Sequence, residues 1–272
     1  MAPTSEIQST ARSVPSRSDS CAQTRPPFAL VTLRLSPGWC AALLSFVVGG
    51  IVGISLIASF LSFMPVADPL LDHIRQTLVR LSWVDGEANI PSWFSGSLLL
   101  TAALLLGTVA AVEQRMGGNR VDHWFVLCLI FLFLSLDEIA QLHELSIVPI
   151  RQWIGASGFL YYAWILPAGV LVGVFVLSYL RFLARLPERT RGLLLVAGAV
   201  YVGGSLGVES ISGWQAAKHG EHDPVYHAII TLEETCEMTG IVLFIYALLD
   251  YLGARSSRIA LHITQSKRAD RE

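Results

Sequence analysis

Between Ala41 and Ala67 the chain runs for 27 residues without a charge. A helix rises ~1.5 Å per residue, so about 20 such residues cross the hydrocarbon layer of a bilayer; the run is too long for the apolar stretch of a secretory signal. Lipid offers no partner to backbone N–H and C=O groups, so a run of this kind must be a helix. Five more apolar runs, at 94–113, 122–146, 158–181, 191–214 and 226–250, bring the expected spans to six. With 53% hydrophobic and 15% charged residues over 272 positions, the composition fits a polytopic membrane protein rather than a soluble domain. The expected fold class is therefore all-α, a transmembrane helix bundle occupying 37–252.

Outside that domain, residues 1–36 are rich in Ser, Thr, Pro and Arg and read as a flexible polar tail, with a Ser/Arg-rich transit peptide as the sharper alternative. Residues 253–272 read as a basic C-terminal tail. Asp68-Pro69 has the form of an N-cap followed by proline at the first helical position, and Leu70, Leu71, Ile74, Leu78 and Leu81 then recur at helical spacing. This predicts a short amphipathic helix near 68–83, lying on the membrane surface. Gly49 and Gly53 have the spacing that lets a second helix approach, Gly203, Gly204 and Gly207 suggest close packing in the fifth span, and Pro167 predicts a kink in the fourth.

The net charge of -2 and pI near 6.4 provide no polybasic surface for nucleic acid. Cys21, Cys40, Cys128 and Cys236 form no Cys-x-x-Cys pair and signal neither a zinc ribbon nor a disulfide framework. Placing the N-terminus in the cytoplasm puts 15 of the 19 Lys and Arg residues on that side, on alternate connections without exception. By the positive-inside rule both termini are expected to be cytoplasmic, with the plasma (inner) membrane as the location.

Against this background the stretch Asp137-Glu138-Ile139-Ala140-Gln141-Leu142-His143-Glu144 stands out, because ionisable residues within a span are costly and mark function by default. Glu209 in the fifth span and Glu233, Glu234 and Glu237 in the sixth are set in equally apolar surroundings. Depths estimated at ~1.5 Å per residue put these acids in the non-cytoplasmic half: Asp137 and Glu138 roughly 5 Å beyond the midpoint, Glu209 about 10 Å, and Glu237 near the middle. Asp137, Gln141 and Glu144 share one stripe of a straight helix, as do Tyr226, Glu233 and Glu237, whereas His143 falls off its stripe unless the helix loosens before Pro149. No Lys or Arg lies within these spans between their two ends, so seven carboxylates have no basic partner there. Metal binding, protonation or a water-filled cavity are the compensations left.

Inward-facing carboxylates with a few imidazoles are how helical bundles build metal centres. The expected metal ligands are Asp137, Glu138, Glu144, Glu233, Glu237, His143 and His227, with Glu138, Glu209 and Glu234 as candidate catalytic acids or bases and Gln141 and Tyr226 in supporting roles. Hard oxygen donors favour a divalent Mn, Fe, Zn or Ca ion. No span carries Glu-x-x-His, which argues against a dinuclear iron centre in particular. The leading expectation is a metal-dependent membrane enzyme, a hydrolase or oxidoreductase, acting on a lipid or other membrane-resident small molecule. The alternative is a proton- or cation-coupled transporter, which the apolar inner halves of the spans disfavour; the third is a structural protein whose buried acids only hydrogen-bond between helices. His219, Glu221, His222 and Asp223 between the last two spans read first as a solvated polar loop.

Overall fold

The computed structural model describes residues 36–86 and 88–255. The expected tail at 1–36 lies outside these residues save for Ser36, as does the C-terminal tail beyond Arg255. Among the described residues the chain is helical, with helices α1 (Pro37–Ser62), α2 (Pro69–Ser82), α3 (Ile90–Arg115), α4 (Val121–Ala140), α5 (Ile147–Ile154), α6 (Ile165–Ala184), α7 (Glu188–Val202), α8 (Glu209–His219) and α9 (Pro224–Arg255). Six helical stretches are long and apolar enough to cross a membrane: α1, α3, α4, α6, the continuous Glu188–His219 rod that contains α7 and α8, and α9.

Local sequence chemistry sets the starts of three helices. The Asp68 carboxylate accepts the N–H groups of Leu70 and Leu71, both at 2.9 Å, and Pro69 follows it as expected. Asn89 and Ser92 close a reciprocal capping box at the start of α3. Asp223 accepts from Val225 and Tyr226 ahead of α9, so this part of the histidine-containing loop serves as a helix cap.

The packing is centred on α3 and α9, each with 50% of its most apolar window buried, against 17% for α1, α4 and α6. One core joins Leu106, Val109, Trp124, Phe182, Leu248 and Tyr251 towards the arginine-rich end of the bundle. A second joins Val48, Leu99, Ala102, Met238, Ile241 and Ile245 between α1, α3 and α9. At the arginine-rich end Glu113 is buried, accepts the Tyr251 hydroxyl at 2.6 Å and pairs with Arg255 at 3.2 Å, tying α3 to α9. Arg189 binds Asp250 beside it, tying α7 to α9.

Several expected details differ. Pro167 lies in the first turn of α6, not in mid-span, where its missing N–H is one that a helix start leaves unpaired anyway. Gly49 and Gly53 meet nothing within 4 Å of where a Cβ would stand, so among the described residues no helix uses them for close approach. Of the three glycines singled out in the fifth span, Gly204 alone has that role, packed on Cys236, Glu233 and Glu237 of α9, while Gly203 and Gly207 face open space. The glycines instead coincide with a π-helical segment, Gly203–Val208, directly ahead of Glu209.

Candidate functional site

The third span ends sooner than its hydrophobicity suggests. Gln141 adopts a left-handed conformation (φ 54°, ψ 43°) and closes α4, after which a 3-10 turn, Glu144–Ser146, leads into α5. The chain thereby folds His143 back onto Asp137. The two Asp137 oxygens accept the His143 backbone N–H at 2.9 Å and face its Nδ1 at 2.8 Å. Burial works against the charged form of His143, but the hydrogen bond and charge of Asp137, reinforced by Glu209 and Glu144, outweigh it and hold the imidazole above its usual range. Asp137, Gln141 and Glu144 consequently do not share the stripe expected of a straight helix.

Trp164 links this corner to the fifth span. Its ring lies 4.8 Å from the His143 ring, and its Nε1–H donates to Glu209 at 2.7 Å. Glu209 is buried at the junction where the π segment gives way to α8, a local irregularity of the kind that recurs at functional sites. One turn on, Ser212 donates to Glu233 of α9 at 3.1 Å. Glu233 in turn interacts electrostatically with Glu209 and Glu234. Glu234 and Glu237 both interact with Glu138 across the bundle, and the buried Tyr201 hydroxyl lies within range of the same three acids. Ser95 of α3 is turned towards Glu138 without completing a hydrogen bond.

Residues 47–252 match the family model described as Domain of unknown function (DUF8692). The chain belongs to this family. No curated protein and no solved structure matches it. The DUF8692 domain thus takes in most of α1, all of α2 to α8 and most of α9, with every acid described above.

Within the DUF8692 domain the expected site residues divide into three groups. Asp137, His143, Glu144 and Glu209 meet at the corner held by Trp164. Glu138, Glu233, Glu234 and Glu237 form a linked group across α4 and α9, with Glu234 and Glu237 in electrostatic range of each other and of both Glu138 and Glu233. His227, expected among the ligands, is elsewhere: it bonds Ser59 of α1 at 2.8 Å and packs on Trp83 and Phe63. Tyr226 shares a 2.7 Å hydroxyl contact with Tyr162, whose phenol burial pushes well above its usual range. Among the described residues no three His, Cys, Asp or Glu side chains converge closely enough to hold a metal ion.

Sequence reasoning missed Trp164, Tyr162, Tyr201, Ser95 and Asp85. Asp85, in the loop after α2, acts electrostatically on Glu209, Glu233 and Glu234. Trp164 stands near a span end, where tryptophan is common for interfacial reasons alone, although an indole N–H in such a place also needs a partner.

Proposed function

We propose that this protein is a membrane-embedded enzyme whose acid–base group is His143, acting on a lipid or other membrane-resident molecule near the surface opposite the cytoplasm. The supporting observation is the Asp137–His143 pair held beside Glu209 by Trp164. With Asp137 accepting the Nδ1 proton, Nε2 is the nitrogen free to take or return a proton, the division of labour that an orienting carboxylate provides. Glu209 supplies a second carboxyl at the same corner, and hydrolysis is the reaction class that such a set suits best. On this reading both termini are cytoplasmic and the protein resides in the inner membrane, following the distribution of Lys and Arg.

The deeper acids, hard oxygen donors without a basic neighbour, have the chemistry to attract Mn, Fe, Zn or Ca. Their side chains do not present three converging donors, so the proton transfers above are assigned to the chain's own groups. A second reading, proton- or cation-coupled transport, is favoured by the way the acids follow one another in pairs from Glu209 through Glu233 and Glu234 to Glu237 and Glu138.

The decisive experiment incubates the detergent-purified protein with a total membrane-lipid extract and looks for new products by mass spectrometry. Products that vanish in His143→Gln support the enzyme; an unchanged product pattern in His143→Gln removes His143 from the chemistry. Metal analysis of the wild type against Glu233→Gln/Glu237→Gln tests the divalent ion. Inert lipids together with proton-driven uptake in liposomes replace the enzyme by the transporter.

A further inference from the structure

Helix α2 shows its apolar face to the outside of the molecule. Leu70, Leu71, Ile74, Leu78 and Leu81 are 67%, 58%, 46%, 52% and 37% exposed, and no residue of the helix is buried. At ~100° per residue these five side chains fill one stripe about 100° wide, with Gln76 and Arg80 on the other side. What α2 turns towards the protein is mostly polar, with Asp72, Arg75 and Thr77 half-buried beside Val79. Arg75 Nη1 reaches the carbonyls of Leu61 and Ser62, both at 3.2 Å, and that of Met64, while Nη2 binds Asp72 at 2.6 Å. A single guanidinium thus fastens α2 to the end of α1 and leaves the leucine stripe without a protein partner among the described residues.

The stripe continues the exposed apolar surface at the end of α1. Phe60, Phe63 and Met64, at the end of the membrane-length helix α1, are themselves exposed and lead directly into α2. Such a helix, with low overall hydrophobicity and a strongly one-sided distribution, suits the boundary between headgroups and acyl chains.

The segment that follows α2 reaches the acids. The Trp83 ring lies tilted against that of His227 with centroids 4.1 Å apart, the Val84 N–H donates to the buried Ser55 hydroxyl at 3.0 Å, and Asp85 acts on Glu209, Glu233 and Glu234. We propose that α2 rests in the lipid interface with its leucine stripe in the acyl boundary, and that it straps the Trp83–Asp85 segment over the acid-bearing end. The state of the surrounding leaflet then bears on the mouth of the site. This rests on the six-span membrane reading and not on the chemistry assigned to His143.

Nitroxide labels test the placement. Cysteine is introduced singly at Leu71, Ile74, Leu78 or Gln76 in the full chain, with the native cysteines changed to serine, and the protein is reconstituted in phosphatidylcholine/phosphatidylglycerol liposomes. Power saturation is expected to show the first three positions more accessible to oxygen than to a water-soluble nickel chelate, and position 76 the reverse. Greater nickel access at all four positions overturns the placement, as does spin–spin broadening at Leu71 and Leu78, which would show a second copy covering the stripe. For the strap, a label at Asp85→Cys is expected to gain mobility when Leu71→Gln/Leu78→Gln is added. An unchanged spectrum refutes the coupling, and because no turnover is measured, neither result depends on whether the enzyme proposal survives.

Discussion

At the scale of single residues, the corner depends on two contacts that can be removed one at a time. His143 is held above its usual range near 6.5 by Asp137, so the folded state binds its proton more tightly than the unfolded chain does. The stability this confers is complete below about pH 6.5 and disappears as pH rises through the elevated folded value. Thermal melts in detergent from acid to alkaline pH are therefore expected to show the gap between wild type and His143→Gln closing as pH rises; parallel curves would mean that the pair does not form. For Trp164→Phe, which keeps the ring and deletes the donor to Glu209, a loss of about 1–3 kcal/mol is expected. Added to Glu209→Gln the change should cost less than the sum of the two single effects, because the contact is already altered; strict additivity in the double-mutant cycle would show that the hydrogen bond contributes nothing. The acids themselves were legible from the chain, since a carboxylate in an apolar run announces itself. The pairing of His143 with Asp137 was not, because it depends on a left-handed Gln141, and glutamine carries none of the bias towards that conformation that glycine or asparagine would.

Whole elements were easier to read than their contacts. The six membrane-length helices follow from long runs poor in charge and α2 from leucines recurring at helical spacing, and the Asp68-Pro69 signal placed the start of α2 correctly. Where helices touch depends instead on rotation about each axis, which the nearly uniform hydrophobicity of a span does not encode; for that reason Gly49 and Gly53 suggested a contact that none of the described helices makes. Between α9 and the fifth span the closely packed glycines are Gly204 and Gly240. A Cβ at Gly240 would stand 2.7 Å from the Tyr201 backbone nitrogen, whereas one at Gly207 meets nothing within 4 Å. Gly240→Ala is accordingly expected to push α7 from α9 and cost more than about 1–3 kcal/mol, as overpacking does, since backbone cannot move aside like a flexible side chain. Gly207→Ala should be neutral or stabilising by up to about 1 kcal/mol. Unfolding midpoints of the two variants check this, and equal midpoints would contradict the close α7–α9 packing.

For the molecule as a whole, the two ends of the bundle are held together by different means. The arginine-rich end joins its helices through a continuous apolar core and the Glu113–Tyr251–Arg255 contacts, while the other end carries acids supported by hydroxyls, an indole and an imidazole. Glu113 escaped notice in the sequence because it stands near the boundary of its span, where a charge costs little and needs no explanation, yet folding buries it to 3% exposure. The concentration of Lys and Arg at one end is also the asymmetry that orients a membrane protein, and an even number of crossings returns the chain to the side from which it started. On the proposed topology, with both tails cytoplasmic, a green fluorescent protein fused after Glu272 is expected to fluoresce, while alkaline phosphatase fused there stays inactive. Phosphatase inserted after Glu221, between α8 and α9, should be active, because that connection lies at the acid-bearing end. The opposite pattern would turn the molecule over and bring His143 and Glu209 to the cytoplasmic surface; activity at both positions would mean that one of the six helices does not cross.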